Sequence, residues 1–427
     1  MNEVLSSFFK QTNSRFLNIS IGLSLVVVFI YNLIINFVSY FGDGDILNGY
    51  GCSEFLINFQ GGFVRRGLLG EVLYQLYRVV PMPMGTVLTV ICCLAFVVVM
   101  VFFIRQSYTK GYCWWILFSS FVLGLTNYIF RKDYILYIFL MFCVYLLRGL
   151  QGSVAKRLGA FLVIVFGLLL HEAFIFWGFP IYALLMLSYS DHRAFNRVLV
   201  ILPLLVVFIL CIFKGSQEVS MAIVDSWNGQ MPDMPLKYIL NNSIGALGWD
   251  SADTFMFHLR MNLGEKAGGA GIVFLPCLLL YAYYMITNFF YLFRTKSESE
   301  AEQDRLTLSL LYSFSVLCLL PMFTFLSCDL GRVFQYAAVA TYAPFFIVPH
   351  QQIIKAFPKR YIGLIEGFNR RLNGIVTPSK GLLLIMLLFL GVSNNFLLVD
   401  TCLYNSIVGG LVQVVKWIRI WLGHLYL

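Results

Sequence analysis

The chain has 427 residues, of which 59% are hydrophobic, 17% aromatic and only 12% charged, and the charged share is about half that of a soluble domain. Its net charge of +9 does not signal nucleic acid, because the lysines and arginines stand in short stretches between apolar runs, which is how membrane topology is encoded. Its ten cysteines lie mostly inside apolar runs (Cys92, Cys93, Cys143, Cys211, Cys277, Cys318) with no CxxC or metal-ligand spacing, so they act as small hydrophobes and no disulfide framework follows.

Repeated apolar runs long enough to cross roughly 30 Å of hydrocarbon predict an all-α polytopic membrane protein. Spans are expected at 17–40, 85–104, 114–130, 134–148, 158–170, 174–189, 197–213, 269–293, 307–327, 334–349 and 381–399, about eleven in all with a range of ten to twelve. The segment Met1–Arg15 precedes the first apolar run without a small-residue cleavage site, which predicts a retained span and not a signal peptide.

The first outer loop, 41–84, carries Asp43 and Asp45 and then Gly61-Gly62-Phe63-Val64-Arg65-Arg66-Gly67-Leu68-Leu69-Gly70-Glu71. A guanidinium beside a bilayer is costly unless it holds an anion, and its planar fork suits phosphate or carboxylate oxygens. A lone arginine would snorkel to the headgroups; two adjacent ones among glycines point to an anion site, with Gly67 and Gly70 expected to let a phosphate approach the backbone. Leu68, Leu69, Val72, Leu73, Leu76 and Tyr77 follow at helical spacing and end before Pro81 and Pro83, predicting an amphipathic interfacial helix.

Arg131-Lys132-Asp133 joins two spans through a very short turn. Its side chains are read either as an interfacial anchor with Lys132 and Asp133 paired, or as a second phosphate contact through Arg131. The apolar run from Leu158 to Ser190 is too long for one crossing and has His171-Glu172 at its middle, so it is split there into two helices. A His and a Glu between apolar runs are costly, and either could take a proton from a sugar hydroxyl, His by its ordinary pKa or Glu if burial raises its own; the structural alternative is a hydrogen bond to a neighbouring helix.

The large outer loop 214–268 holds Trp227, Trp249, Asp250, Asp253, His258 and Arg260, suited to stacking on sugar rings or to capping the site. The acidic stretch Glu298–Asp304 and the basic 350–380 segment are expected as inner loops. Asp329 and Arg332 flank a helix junction, paired with each other or, functionally, with Arg332 adding charge to the anion site and Asp329 orienting it. The segment after Asp400 is an interfacial helix or the end of a twelfth span.

With the N-terminus inside, 18 basic and 7 acidic residues fall on the inner side, against 12 basic and 14 acidic on the outer, as the positive-inside rule expects. Every unusual polar cluster then lies on the outer face. No Walker loop, dinucleotide fingerprint, HExxH or nucleophile elbow is present, so neither cofactor nor metal is expected.

At these residues the chain resembles the bacterial O-antigen polymerase (Wzy-type) family: Phe/Tyr/Ile/Leu-rich, of about a dozen spans, with arginine-bearing outer loops such as Gly62-Phe63-Val64-Arg65-Arg66-Gly67-Leu68 and a polar His-Glu junction. The resemblance implies an all-helical, GT-C-like glycosyltransferase of the inner membrane, working on the periplasmic side without nucleotide sugars. It implies transfer of a glycan from undecaprenyl diphosphate to a lipid-linked repeat unit, with membrane lipid and a chain-length regulator protein as further partners. Asp43 and Asp45 form a loose version of the paired acidic motif of C-type transferases that add single sugars from polyprenyl phosphate, which leaves that activity as the alternative. A flippase for lipid-linked oligosaccharide would show matched repeats and midplane polar groups, which the sequence lacks.

Overall fold

The computed structural model describes residues 49–110, 129–150, 153–227, 242–263, 271–292, 298–327 and 329–375, with scattered positions between 19 and 47. Asp43, Asp45, the expected span 381–399 and the segment after Asp400 lie outside the described residues, as do more than half of the expected span 17–40 and nearly all of 114–130.

The described residues are helical, without strands. Helix α1 covers Gly67–Val79, α2 Met84–Thr109, α3 Asp133–Leu147, α4 Val154–Leu170, α5 Phe174–Leu187 and α6 Arg193–Ile212. After these come α7 Gln217–Ser226, α8 Ser251–Leu263, α9 Gly271–Leu292, α10 Glu298–Pro321, α11 Leu330–Ile347, α12 His350–Ala356 and α13 Lys359–Ile375. Among the described residues three stretches, Met84–Thr109, Arg193–Ile212 and Glu302–Leu326, are long and apolar enough to cross a membrane, and Asp133–Leu147, Phe174–Leu187 and Leu275–Thr287 are shorter apolar helices.

Helix α6 exposes Val198, Ile201, Leu204, Leu205, Phe208 and Ile212, and α2 exposes Val90, Leu94, Val97, Val98 and Val101. Apolar surface on that scale is what a lipid-facing helix presents and what a water-facing one avoids. Helix α11 sits at the centre, with all of its residues but Arg332 buried. Ala337, Ala338, Ala340 and Ala343 keep it thin, so neighbouring helices pack closely, as small residues allow in membranes.

Side-chain contacts tie the helix ends into two poles. At one pole the termini of α3, α4, α5 and α11 meet the segment 54–66 that precedes α1. At the other, the buried Arg157 donates to Asn196 Oδ1 (2.8 Å) and Asp191 Oδ2 (2.5 Å), Lys110 to the Phe345 carbonyl (3.0 Å), and Tyr189 to the Leu147 carbonyl (2.6 Å). The split at His171-Glu172 is present as expected, between α4 and α5.

Two expected loops are helices instead. Glu298–Asp304 forms the first turns of α10, and Asp304 meets His350 Nδ1 at 2.8 Å. The basic 350–380 segment contains α12 and α13; the second buries Ile365 and Leu372 while leaving its basic residues outside. Charge density disguised the amphipathic spacing of α13, while Glu298–Asp304 has no apolar spacing to read.

The described parts of the segments 41–84 and 214–268 fold together. The buried Trp227 indole donates to the Leu56 carbonyl (2.8 Å), Asn58 Nδ2 to Ser226 Oγ (2.8 Å), and the Ser243 amide to Ser53 Oγ (3.1 Å). Trp227 also packs against Tyr74 and Tyr77 of α1. It is therefore a core residue of a cap and not a platform for sugar rings.

Candidate functional site

The site begins with a backbone constraint. Arg66 sits at φ 65°, in the left-handed region, immediately before α1. A non-glycine residue there costs on the order of 1 kcal/mol and persists only when its surroundings hold it. They do: the Arg65 amide donates to the Phe213 carbonyl (3.0 Å) and Lys132 Nζ donates to the Arg66 carbonyl (2.9 Å). Behind it α1 crosses the preceding segment closely, since a Cβ on Gly70 would overlap the Ile57 carbonyl and one on Gly67 would strike the Phe59 ring. Both glycines serve the chain's own packing, so the expected close approach of a phosphate at these two positions is corrected.

The Arg66 guanidinium grips Glu172. Its Nε lies 2.9 and 2.8 Å from the two carboxylate oxygens and its Nη2 also bonds Oε1. Arg65 Nη1 adds a contact at 3.3 Å. The Arg65, Arg66 and Glu172 side chains keep 29%, 17% and 23% of their surface open, so this trio forms the accessible lip of the site.

Below it lies Glu54, held in the 3₁₀ turn Glu54–Leu56 and 1% exposed. Its Oε1 stands 3.0 Å from His171 Nε2 and 3.6 Å from Arg66 Nη1, and its Oε2 3.8 Å from Arg332 Nη2. The Ala173 amide donates to His171 Nδ1 at 3.1 Å, which places the ring proton of a neutral imidazole on Nε2, facing Glu54. On the far side Arg332 holds Asp133 with two bonds, Nε to Oδ2 at 2.8 Å and Nη2 to Oδ1 at 2.9 Å, and the Tyr336 hydroxyl donates to the same carboxylate at 2.5 Å. Tyr336 stacks on Trp177 with ring centres 4.9 Å apart, forming an aromatic floor.

These contacts correct two expected pairings. Arg332 binds Asp133 and not Asp329, and Lys132 reaches Arg66 and not Asp133. Asp329 faces Arg131 at 3.8 Å, while the Arg131 guanidinium lies over the Tyr50 ring, 5.7 Å from its centre. In each case the actual partner lies on a distant segment, which adjacency along the chain does not predict.

Arg65, Arg66, Arg131, Lys132 and Arg332 thus stand against Glu54, Asp133, Glu172 and Asp329, an excess of positive charge when His171 is neutral. Burial alone would raise the pKa of Glu172, but the charges of Arg66 and Arg65 outweigh it and hold the carboxyl well below its usual range. Glu54 behaves alike: burial opposes ionisation, and His171, Arg332 and Arg66 overcome it. Burial and then the Arg66 charge depress His171, and burial pushes Lys132 down to about 8.

Of the residues singled out from sequence, Arg65, Arg66, His171, Glu172 and Arg332 come together, with Arg131 and Asp329 beside them. Glu54 and the burial of Lys132 were missed; the available signal was a lone carboxylate heading the apolar Phe55-Leu56-Ile57 run. The pKa of His258 in α8 is lowered by burial and then by the charge of Arg66. Among the described residues no His, Cys, Asp and Glu cluster has the makings of a metal site. Comparison of this chain with known protein families, curated proteins and solved structures finds no match.

Proposed function

We propose that this protein is a C-type integral membrane glycosyltransferase, an O-antigen or similar polysaccharide polymerase. In this reading it has about eleven spans, lies in the bacterial inner membrane, and moves a growing glycan from undecaprenyl diphosphate to the next lipid-linked repeat unit on the periplasmic face. The basic pole around Arg157, Lys110 and α13 would then lie inside, following the positive-inside rule.

One observation carries the reading. Arg65 and Arg66 from the first loop, Arg131 and Lys132 from the second polar turn and Arg332 from α11 converge beside Glu172 and His171, at the ends of helices whose sides are apolar. Such an arrangement suits a ligand with a lipid tail and a phosphate head. Chemically, the acceptor hydroxyl oxygen bonds to the anomeric carbon while the bond from that carbon to the diphosphate oxygen breaks. The diphosphate departs with the bonding electron pair, its charge held by Arg65 and Arg66 with Arg332 behind them. The hydroxyl proton passes to Glu172 or His171.

The test is the length of surface glycan, resolved by gel, in strains carrying Arg66→Ala or Glu172→Ala at matched membrane levels of protein. Loss of the long ladder with a single repeat unit retained is the expected result. An unchanged ladder in both strains overturns the reading, and loss of even the first unit replaces it with a single-sugar transferase or a flippase.

A further inference from the structure

The three buried or half-buried carboxylates at the heart of the site are not equally committed. Asp133 has no exposed surface and is fixed by two bonds from Arg332 and one from Tyr336. Glu54 is sealed beneath His171. Glu172 stands at the lip, 23% exposed, and among the described residues its carboxylate accepts hydrogen bonds only from Arg65 and Arg66. His171 Nδ1 lies 3.6 Å away but is already bonded to the Ala173 amide.

The arginines, by contrast, are anchored through their backbone by Phe213 and Lys132, independently of Glu172. Two oxygens of a planar carboxylate on Arg66, with Arg65 on one of them, reproduce how a phosphate group would be held. We infer that Glu172 is a resident stand-in for the ligand's phosphate, and that a diphosphate-bearing ligand binds by displacing its carboxylate from Arg65 and Arg66, freeing Glu172 to accept the proton. This deepens the reading above and rests on Arg65 and Arg66 being the diphosphate site.

The exchange gives order to the reaction. While Glu172 is gripped, two arginines suppress its basicity. Once their charge is met by phosphate, burial remains as the dominant influence and restores the carboxylate as a base. His171 does not compete for this role, because its Nδ1 lone pair is occupied and its Nε2 proton faces Glu54.

The test is calorimetric titration of inorganic pyrophosphate, with inorganic phosphate in parallel, into the purified full-length protein in lipid nanodiscs. Glu172→Gln removes the competing charge and is expected to bind pyrophosphate roughly tenfold tighter than wild type, while Arg66→Ala binds it at least tenfold more weakly. Glu172→Asp, which keeps the charge but shortens the reach, should fall between wild type and Glu172→Gln, and serves if the Gln variant does not fold. Preference for pyrophosphate over phosphate supports a diphosphate seat; equal affinity overturns it. Affinity in Glu172→Gln or Glu172→Asp equal to or below wild type overturns the exchange. That failure alongside an intact dependence of the glycan ladder on Arg66 would leave the polymerase reading standing, whereas the expected affinity order with an unchanged ladder would remove the polymerase and keep the exchange.

Discussion

Lys132 donates its ammonium proton to the carbonyl of Arg66 across 2.9 Å, linking residues 66 apart in the chain. The bond pins a left-handed residue whose guanidinium grips Glu172, so a buried lysine controls an arginine through its backbone. Lys132 also lies over the Phe55 ring at 6.0 Å, which leaves its stem packed even where the charge is removed. Replacement by methionine is therefore expected to preserve folding and weaken pyrophosphate binding by about tenfold, the loss of one charge-assisted hydrogen bond. Unchanged binding would show that Arg66 holds its conformation without it.

Asp133 and Arg332 form the most enclosed ion pair of the site. Deleting one partner of a buried pair strands the other and costs about 3–5 kcal/mol. Asp133→Ala should lower the thermal midpoint of the purified protein strongly. The double variant Asp133→Ala/Arg332→Ala should recover part of that loss, because no charge is stranded. A double variant as unstable as the sum of the singles would contradict direct coupling.

The response to acid follows from His171. Its folded pKa is depressed below the ordinary 6.5, burial being the main cause, so the unfolded chain binds the proton more readily. Stability contributed by the neutral ring is present above 6.5 and falls as pH drops from 6.5 through the folded pKa. Thermal midpoints measured from pH 7.5 to 5 should decline, and His171→Gln should flatten the decline above pH 5. Below that the depressed Glu54 and Glu172 add their own loss as they protonate. Identical profiles in the two proteins would exclude His171 as the source.

Trp227 separates a structural cap from a sugar-binding surface. Its ring is fully buried and its indole donates to Leu56, so Trp227→Phe should destabilise the fold by about 1–3 kcal/mol. The half-buried Trp249, set against Phe257, should tolerate the same change with less than half that loss. Denaturation of the two variants in one detergent compares them directly; equal losses would refute the assignment.

A further steric contrast concerns α1 and α2. Gly70→Ala drives a methyl into the Ile57 carbonyl and is expected to prevent accumulation in the membrane, whereas Gly85, with open space around it, should accept alanine without loss. Membrane levels by immunoblot decide it.

The helices α2 to α6, the break at His171-Glu172 and the place of Arg65 and Arg66 in a polar cluster were legible in the sequence, because each depends on local properties: apolar run length, a polar pair interrupting it, and adjacent arginines among glycines. Helices α12 and α13 and the first turns of α10 were not, since charge obscured the apolar stripe of α13 and the Glu298–Asp304 stretch carries no such stripe to read. Who pairs with whom was decided only by the tertiary structure. Arg332 finds Asp133 at a separation of 199 residues and Arg66 finds Glu172 at 106, and the buried Glu54 gains its role from a turn packed under α1. Hydropathy along the chain determined which segments enter the apolar phase. The requirement that each charge left at their ends meet an opposite charge or a hydrogen-bond acceptor, whatever its distance in sequence, assembled the site.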